Sequence, residues 1–284
     1  MTESVSLEHF ALVNPGTTLS LSLKSGQLLG VVGLAGSGKT RFLETIQGLE
    51  RQAQGSLRVN GMAVAATMGG LNRRTRPQTI ARQAARTGGL TEPEILVMTG
   101  LADHRREYIL NLSPAQVAAA ELIEPLLSEA NVVIIPGQLD RLDRVTFETV
   151  SQYILRRAAQ GVCFIVETHQ AQVLALCDLA VCLRQRQVVF AGTLEDLKRH
   201  APATKITVET DYQEAVRAVV APFEISLTTV EAGLVIKTKE GQAVTAELIK
   251  QGYGDIKLLI QREPTLDEAL LALLRGSGTL SSRI

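Results

Sequence analysis

The sequence predicts an α/β protein with a largely parallel sheet over residues 1–202, followed by a small α+β domain over residues 203–284. Three observations carry this. Short, continuously apolar runs at 27–32, 132–135 and 163–166 read as strands buried on both faces, and they alternate with segments of helical spacing. A glycine-rich turn joins the first of these runs to a helix. After Ala201-Pro202 the pattern changes to strand, helix, strand, strand, helix, strand.

Each element follows from its residues. Residues 4–12 and 18–23 read as an antiparallel pair, because Leu19, Leu21 and Leu23 alternate with polar residues. A helix is expected from about Lys39 to Leu49, where Phe42, Ile46 and Leu49 recur at helical spacing. Ser56 to Val59 is a short strand. Residues 61–110 have no clear period. Arg73, Arg74, Arg76, Arg82 and Arg86 make a basic stretch there, read either as a solvated face or as contact with an acidic partner or lipid headgroups. Helices follow at 114–129 and 144–159, strands near 179–183 and 186–190, and a short helix at 194–199. In the second domain, strands at 205–209, 224–230, 233–238 and 256–261 enclose helices at 211–220 and 242–251, the split order of ferredoxin-like domains. Residues 263–274 close it with an amphipathic helix.

Composition narrows the function. With 45% hydrophobic residues a sizeable core can be buried. The 29 Lys and Arg balance 29 Asp and Glu, so no global positive field draws the chain to nucleic acid, and none is expected as a partner. Cys163, Cys177 and Cys182 have no metal-ligand spacing and read as small core residues in a reducing compartment. No signal peptide is visible, and no stretch approaches the ~20 apolar residues of a membrane span. A cytoplasmic location is expected.

Residues 33–40, GLAGSGKT, fit G-x-x-x-x-G-K-[ST] between a buried strand and a helix. The chemistry explains the residue types. Gly33, Gly36 and Gly38 let the backbone curl, so that the N–H groups of this loop, with Leu34, Ala35 and Ser37, point at phosphate oxygens. The helix that begins there adds its positive end. Lys39 reaches the β- and γ-phosphates, Thr40 offers its hydroxyl to Mg²⁺, and Arg41 follows within the cofactor-binding stretch. ATP and Mg²⁺ are the cofactors implied.

The surroundings resemble the ATP-binding domains of ABC transporters through most of residues 4–200. VVGLAGSGKTRFLETIQGL followed by QGSLRVNG is similar to that family's loop, helix and next strand. NLSPAQ at 111–116 stands where the family has its LSGGQ signature, and VVIIPGQLDRLD at 132–143 where it has an apolar strand, Asp-Glu and a D-loop. FIVETH at 164–169 matches the strand that ends in a switch histidine. The tail and EPTLDEAL resemble the C-terminal extension of ABC-2-type exporter subunits. The resemblance implies a P-loop NTPase core of the ABC ATPase type. It also implies ATP sandwiched between two such domains, in a homodimer or a heterodimer, and a transmembrane permease subunit as partner on the inner face of the membrane. His169 becomes the catalytic switch residue, Asp143 the D-loop aspartate and Ser113 a signature contact. Phe10 either stacks on adenine or belongs to the core.

The departures are chemical. Where the family has Asp, which helps hold Mg²⁺, and Glu, which polarises water, this chain has Pro136 and Gly137. Asp140 is the nearest carboxylate, but the chain between can extend about 17 Å. In the signature, Pro114 and Ala115 replace both glycines, and Pro114 has no N–H to donate. Ser113 and Pro114 fit equally the N-cap and first position of a helix. Gln78 and Gln83 are the candidates for the Q-loop glutamine. The expected function is an ATP-binding subunit of an ABC-type complex with weak or absent hydrolysis. The alternatives are a transport ATPase completed by a partner subunit, or a scaffold or regulator that keeps the fold.

Overall fold

The computed structural model describes residues 3–13, 16–87, 89–231, 233–251 and 256–275. The described chain divides into two compact units, between Asp196 and Leu197. The division falls ahead of the Ala201-Pro202 boundary because Lys239 Nζ, in the second unit, donates to the carbonyls of Arg199 and Ala201.

In the first unit the elements run β1 (Glu3–Ala11), β2 (Leu19–Lys24), β3 (Leu28–Gly33), α1 (Lys39–Ile46), β4 (Gln54–Val59), β5 (Ala63–Ala65), α2 (Pro77–Ala84) and α3 (Glu92–Met98). They continue with α4 (Pro114–Leu127), β6 (Val132–Pro136), α5 (Arg144–Ala159), β7 (Cys163–Thr168), α6 (Ala171–Leu174), β8 (Leu179–Arg184) and β9 (Gln187–Thr193), and the division falls within α7 (Leu194–Arg199). A six-stranded sheet has the order β5-β6-β7-β3-β8-β9, parallel except for β9. A second, antiparallel sheet has the order β2-β1-β4. The parallel core expected from the apolar runs is present, and β3 is buried at every position.

The two sheets enclose a core that includes Leu23, Leu29, Val31, Phe42, Leu43, Ile134 and Ile165. Helix α1 stops at Ile46, short of the expected Leu49. Gly48 turns left-handed at φ 75°, its N–H bonds the Thr45 carbonyl, and Leu49 is left exposed.

Residues 61–110, unreadable as a period, contain β5 and two short helices. Helix α2 buries Ile80, Ala81 and Ala84, and α3 buries Ile95, Leu96 and Met98. Thr91 and Glu94 form a capping box at the start of α3. Within the basic stretch, Arg82 pairs with Glu92 at 2.9 Å and Arg76 lies over the Tyr108 ring at 4.7 Å, while Arg73, Arg74 and Arg86 are exposed.

The second unit holds β10 (Thr204–Thr210), α8 (Gln213–Val220), β11 (Ile225–Val230), β12 (Gly233–Thr238), α9 (Gly241–Lys250), β13 (Ile256–Arg262) and α10 (Leu266–Arg275). Its sheet order is β11-β12-β10-β13, antiparallel throughout. Ile206, Val208, Leu234 and Ile236 pack with Val216 and Val220 of α8 and Val244 and Leu248 of α9. Among the described residues, no helix is long and apolar enough to cross a membrane.

Candidate functional site

The site gathers where β3, β6 and β7 end side by side. Gly33 closes β3, and a side chain there is excluded, because a Cβ would lie 2.5 Å from the Leu183 carbonyl oxygen. The chain then turns through exposed Leu34, Ala35 and Gly36, with Gly36 at φ 74°, and Ser37 N–H bonds the Leu34 carbonyl. Gly38, at φ 101°, is the N-cap of α1, and a Cβ there would meet the Arg186 backbone at 3.3 Å. Arg186 N–H donates to the Ser37 carbonyl from the β8–β9 turn, where Gln185 and Arg186 both take positive φ. The hairpin thus braces the loop from beneath.

Several features of this loop fit an anion. No side chain caps α1. Among the described residues, the N–H groups of Lys39, Thr40 and Arg41 have no backbone acceptor, as expected of a first helical turn. Ser37 Oγ is buried without a partner, and the Thr40 side chain is exposed. Lys39 Nζ folds over the loop, donating to the carbonyls of Gly33 at 2.8 Å and Leu34 at 3.2 Å.

Glu167, which sequence reasoning passed over, faces that ammonium. Its Oε1 lies 3.7 Å from Lys39 Nζ, with side-chain exposures of 21% and 13%. Glu167 pairs in register with Pro136 across β6 and β7. Burial pushes its carboxyl above the usual range, and Lys39 pulls it partly back.

The end of β6 is rebuilt around its two substitutions. Gly137 N–H bonds the Ile135 carbonyl at 3.0 Å, a tight turn centred on Pro136, and Gly137 takes φ 84°. A short 3₁₀ turn over Leu139–Arg141 then carries Asp140 back to the end of β7. The extended-chain bound placed this carboxylate too far away. It accepts from Thr168 Oγ1 at 2.5 Å and from His169 N–H at 2.9 Å, and it lies 2.6 Å from His169 Nδ1. Gln170 Nε2 donates to the Asp140 carbonyl at 2.8 Å. The Asp140 side chain is 3% exposed and that of His169 76% exposed, so a buried carboxylate holds an outward-facing imidazole.

The other predicted residues take local roles. Asp143 caps α5, accepting from Thr146 N–H at 3.0 Å and Thr146 Oγ1 at 2.7 Å, and these bonds hold its carboxyl below the usual range. Ser113 caps α4 in a reciprocal box with Gln116, with Pro114 in the first turn. It is exposed. Phe10 is fully buried, edge-on to Phe42 at 5.6 Å, so core packing claims it rather than adenine. Gln78 and Gln83 both lie on α2, and Ala66, Thr67 and Met68 follow β5 with no glutamine among them. Gly69 N–H instead bonds Glu121 Oε1 at 2.5 Å, and Glu121 also meets Gln138 Nε2 at 3.4 Å and Arg141 Nη1 at 3.8 Å. This buried cluster joins the segment after β5, helix α4 and the turn after β6. Cys163, Cys177 and Cys182 are free and buried, and burial raises the Cys177 and Cys182 thiols to about 12.

Comparison with known proteins agrees with this arrangement. Residues 17–135 match the model of a family described as ABC transporter. The methionine import ATP-binding protein MetN 2 of Salmonella choleraesuis is 26% identical over 208 residues, covering 64% of this chain and 62% of its own length. The chain therefore spans less than two thirds of that relative. The aliphatic sulfonates import ATP-binding protein SsuB of Mycobacterium avium is 28% identical over 200 residues, covering 64% of this chain and 76% of its own. A solved ATP binding subunit of an ABC transporter superposes with a TM-score of 0.58 at 20% identity, covering 70% of this chain and 92% of that one. A nucleotide-free ATP-binding cassette from an ABC transporter gives 0.56 at 13% identity, covering 68% and 92%. The match over residues 17–135, the phosphate loop and the strand order together make this chain similar to ATP-binding proteins of ABC transporters, on their fold.

Proposed function

We propose that the chain is the ATP-binding subunit of an ABC-type transporter complex that binds ATP at residues 33–41 with weak or absent hydrolysis of its own. The observation that carries this reading is the pairing of an intact phosphate loop with a neighbouring strand end, Pro136-Gly137, that offers neither a metal ligand nor a general base.

The residues at the loop fit a triphosphate and its cation. The first-turn N–H groups of α1 lack backbone acceptors, the Lys39 ammonium folds over the loop, and Thr40 presents a hydroxyl. Among the described residues no cluster of three or more His, Cys, Asp or Glu could hold a metal alone. Mg²⁺ with a nucleotide needs only one or two carboxylates, because phosphates and waters complete its shell. When bound, Mg²⁺ neutralises phosphate charge. Lys39 would hold the β- and γ-phosphates, Thr40 would offer its hydroxyl to the cation, and His169, held by Asp140, would meet the γ-phosphate. A missing general base removes a factor of roughly 10²–10⁴ in rate, so binding outlasts turnover and ATP acts as a signal for assembly.

The partners in this reading are a transmembrane permease subunit and a second ATP-binding domain, with the chain peripheral on the cytoplasmic face of the membrane. Ser113, exposed at the cap of α4, is the surface offered to nucleotide in the partner domain.

The test is a nucleotide titration with and without Mg²⁺, beside a sensitive phosphate-release assay. Micromolar to sub-millimolar ATP binding with little release is expected. No binding at millimolar ATP refutes the reading. Turnover like that of ordinary ATPases, abolished by Lys39→Ala, refutes its hydrolytic part. A gain in hydrolysis on adding a candidate partner chain supports the second reading, a transport ATPase completed by its partner, for which the outward-facing His169 held by buried Asp140 is the favouring observation.

A further inference from the structure

We infer that Glu167 is the carboxylate that holds the divalent cation of a bound nucleotide, standing in from the next strand for the side chain missing at Pro136. The inference rests on the ATP-binding reading above and names one residue of that site.

The register carries the argument. Pro136 and Glu167 are paired neighbours on parallel β6 and β7. Adjacent strands lie about 4.8 Å apart, and in-register neighbours project to the same face. A carboxylate lost at position 136 is therefore replaced one strand away, on the same side of the sheet and at the same height. Glu167 belongs to a strand otherwise buried at every position, so a carboxylate there costs desolvation and needs a partner. The Lys39 ammonium at 3.7 Å fills that need.

The other carboxylates around this strand end are committed. Asp140 is held by Thr168 and His169, Asp143 by the first turn of α5, and Glu121 by Gly69 and Gln138. Glu167 lies beside the loop lysine, its ion-pair partner at 3.7 Å, with Asp140 and His169 near enough to act on its charge. A bound nucleotide would offer its phosphates to Lys39, leaving the Glu167 carboxylate available to the cation. Thr40, the residue after Lys39, would offer its hydroxyl to the same cation.

The experiment is a titration with a fluorescent ATP analogue, in EDTA and in excess Mg²⁺, on the full chain and on Glu167→Gln, Glu167→Asp and the double variant Pro136→Asp/Glu167→Gln. In the native chain Mg²⁺ should tighten binding about 10- to 100-fold, the range by which metal-site partners change affinity. Glu167→Gln should bind as well as or better than the native chain in EDTA, since Lys39 is released, and should lose the Mg²⁺ gain. Glu167→Asp should keep a smaller gain. The double variant, which returns a carboxylate to the neighbouring strand, should regain most of it.

An undiminished Mg²⁺ gain in Glu167→Gln overturns the inference, as does equal tightening with and without Mg²⁺, which would make Glu167 a counter-charge to Lys39 alone. Loss of binding by Glu167→Gln in EDTA overturns it too, because the residue would then shape the loop. Should Glu167→Gln fail to fold, an undiminished Mg²⁺ gain in Glu167→Asp, for which a smaller one is expected, decides against it. A native chain that binds the analogue equally with and without Mg²⁺ sinks this inference and leaves the ATP-binding reading standing; one that binds nothing sinks that reading.

Discussion

Replacing Asp140 with alanine tests how His169 is held. The carboxylate accepts from Thr168 Oγ1 and from His169 N–H, and it meets the His169 imidazole. Hydrogen bonds to a charged group contribute roughly 1.5–3 kcal/mol each. The imidazole contact counts for about 0–1 kcal/mol, because that ring is 76% exposed. Thr168 is partly compensated, since its hydroxyl also reaches the Gln170 carbonyl at 3.3 Å. Removing a buried carboxylate also returns its desolvation cost. The net loss for Asp140→Ala is then about 2–4 kcal/mol. At roughly 2–4 °C per kcal/mol for a domain of this size, the melting temperature of the first unit should fall by about 5–15 °C. Asp140→Asn keeps one acceptor and should cost about half as much. Scanning calorimetry measures both. Because His169 loses its anchor, ATP affinity should fall about fivefold, near 1 kcal/mol, while ADP affinity holds. An Asp140→Ala chain that melts within about 2 °C of the native protein, or an Asp140→Asn chain just as damaged, refutes the reasoning.

Other outcomes follow from the same geometry. Lys39→Ala should weaken ATP binding about 10- to 100-fold, from the loss of a charge-assisted contact, in a titration that leaves the fold intact by circular dichroism. Glu121→Ala should lower stability by about 2–4 kcal/mol in urea denaturation, because it strands the Gln138 amide in the interior and takes the acceptor from the Gly69 N–H. Asp143→Ala should cost about 1 kcal/mol at neutral pH through the lost cap of α5. Asp143 has a folded pKa below its unfolded one, so its contribution is present above the unfolded value of 3.8 and is lost as pH falls through the lowered value. The gap between native and variant should close over that window in acid titrations of stability.

Much of this was legible in the sequence because local rules agreed with the final structure. Helix α5 begins at Arg144 and ends at Ala159 as read, since Asp143 caps it and apolar residues recur along it. Strand β12 matches at both ends because β-branched residues and a glycine mark it. The phosphate loop was legible because its glycines answer a steric need that the structure shows at Gly33 and Gly38. Helix α2 was not, because two of its buried residues, Ala81 and Ala84, are small, and α3 was not, because its seven residues hold too few turns to show a period. The Thr91–Glu94 box was the signal that could have found α3. Glu167 and Asp140 were missed for a different reason. Register between β6 and β7 is set by packing across the sheet, and a 3₁₀ turn can fold a carboxylate back in a few residues. Neither property belongs to a local window.

The left-handed backbone at Gly137 makes a carboxylate costly to install at that position. A glutamate placed there would enter at φ 84°, where a side chain costs about 1–2 kcal/mol, although nothing lies within 4 Å to obstruct its Cβ. Placing one there therefore asks for a peptide rotation as well as a new side chain, so the backbone, and not only the residue type, keeps an acid from this corner.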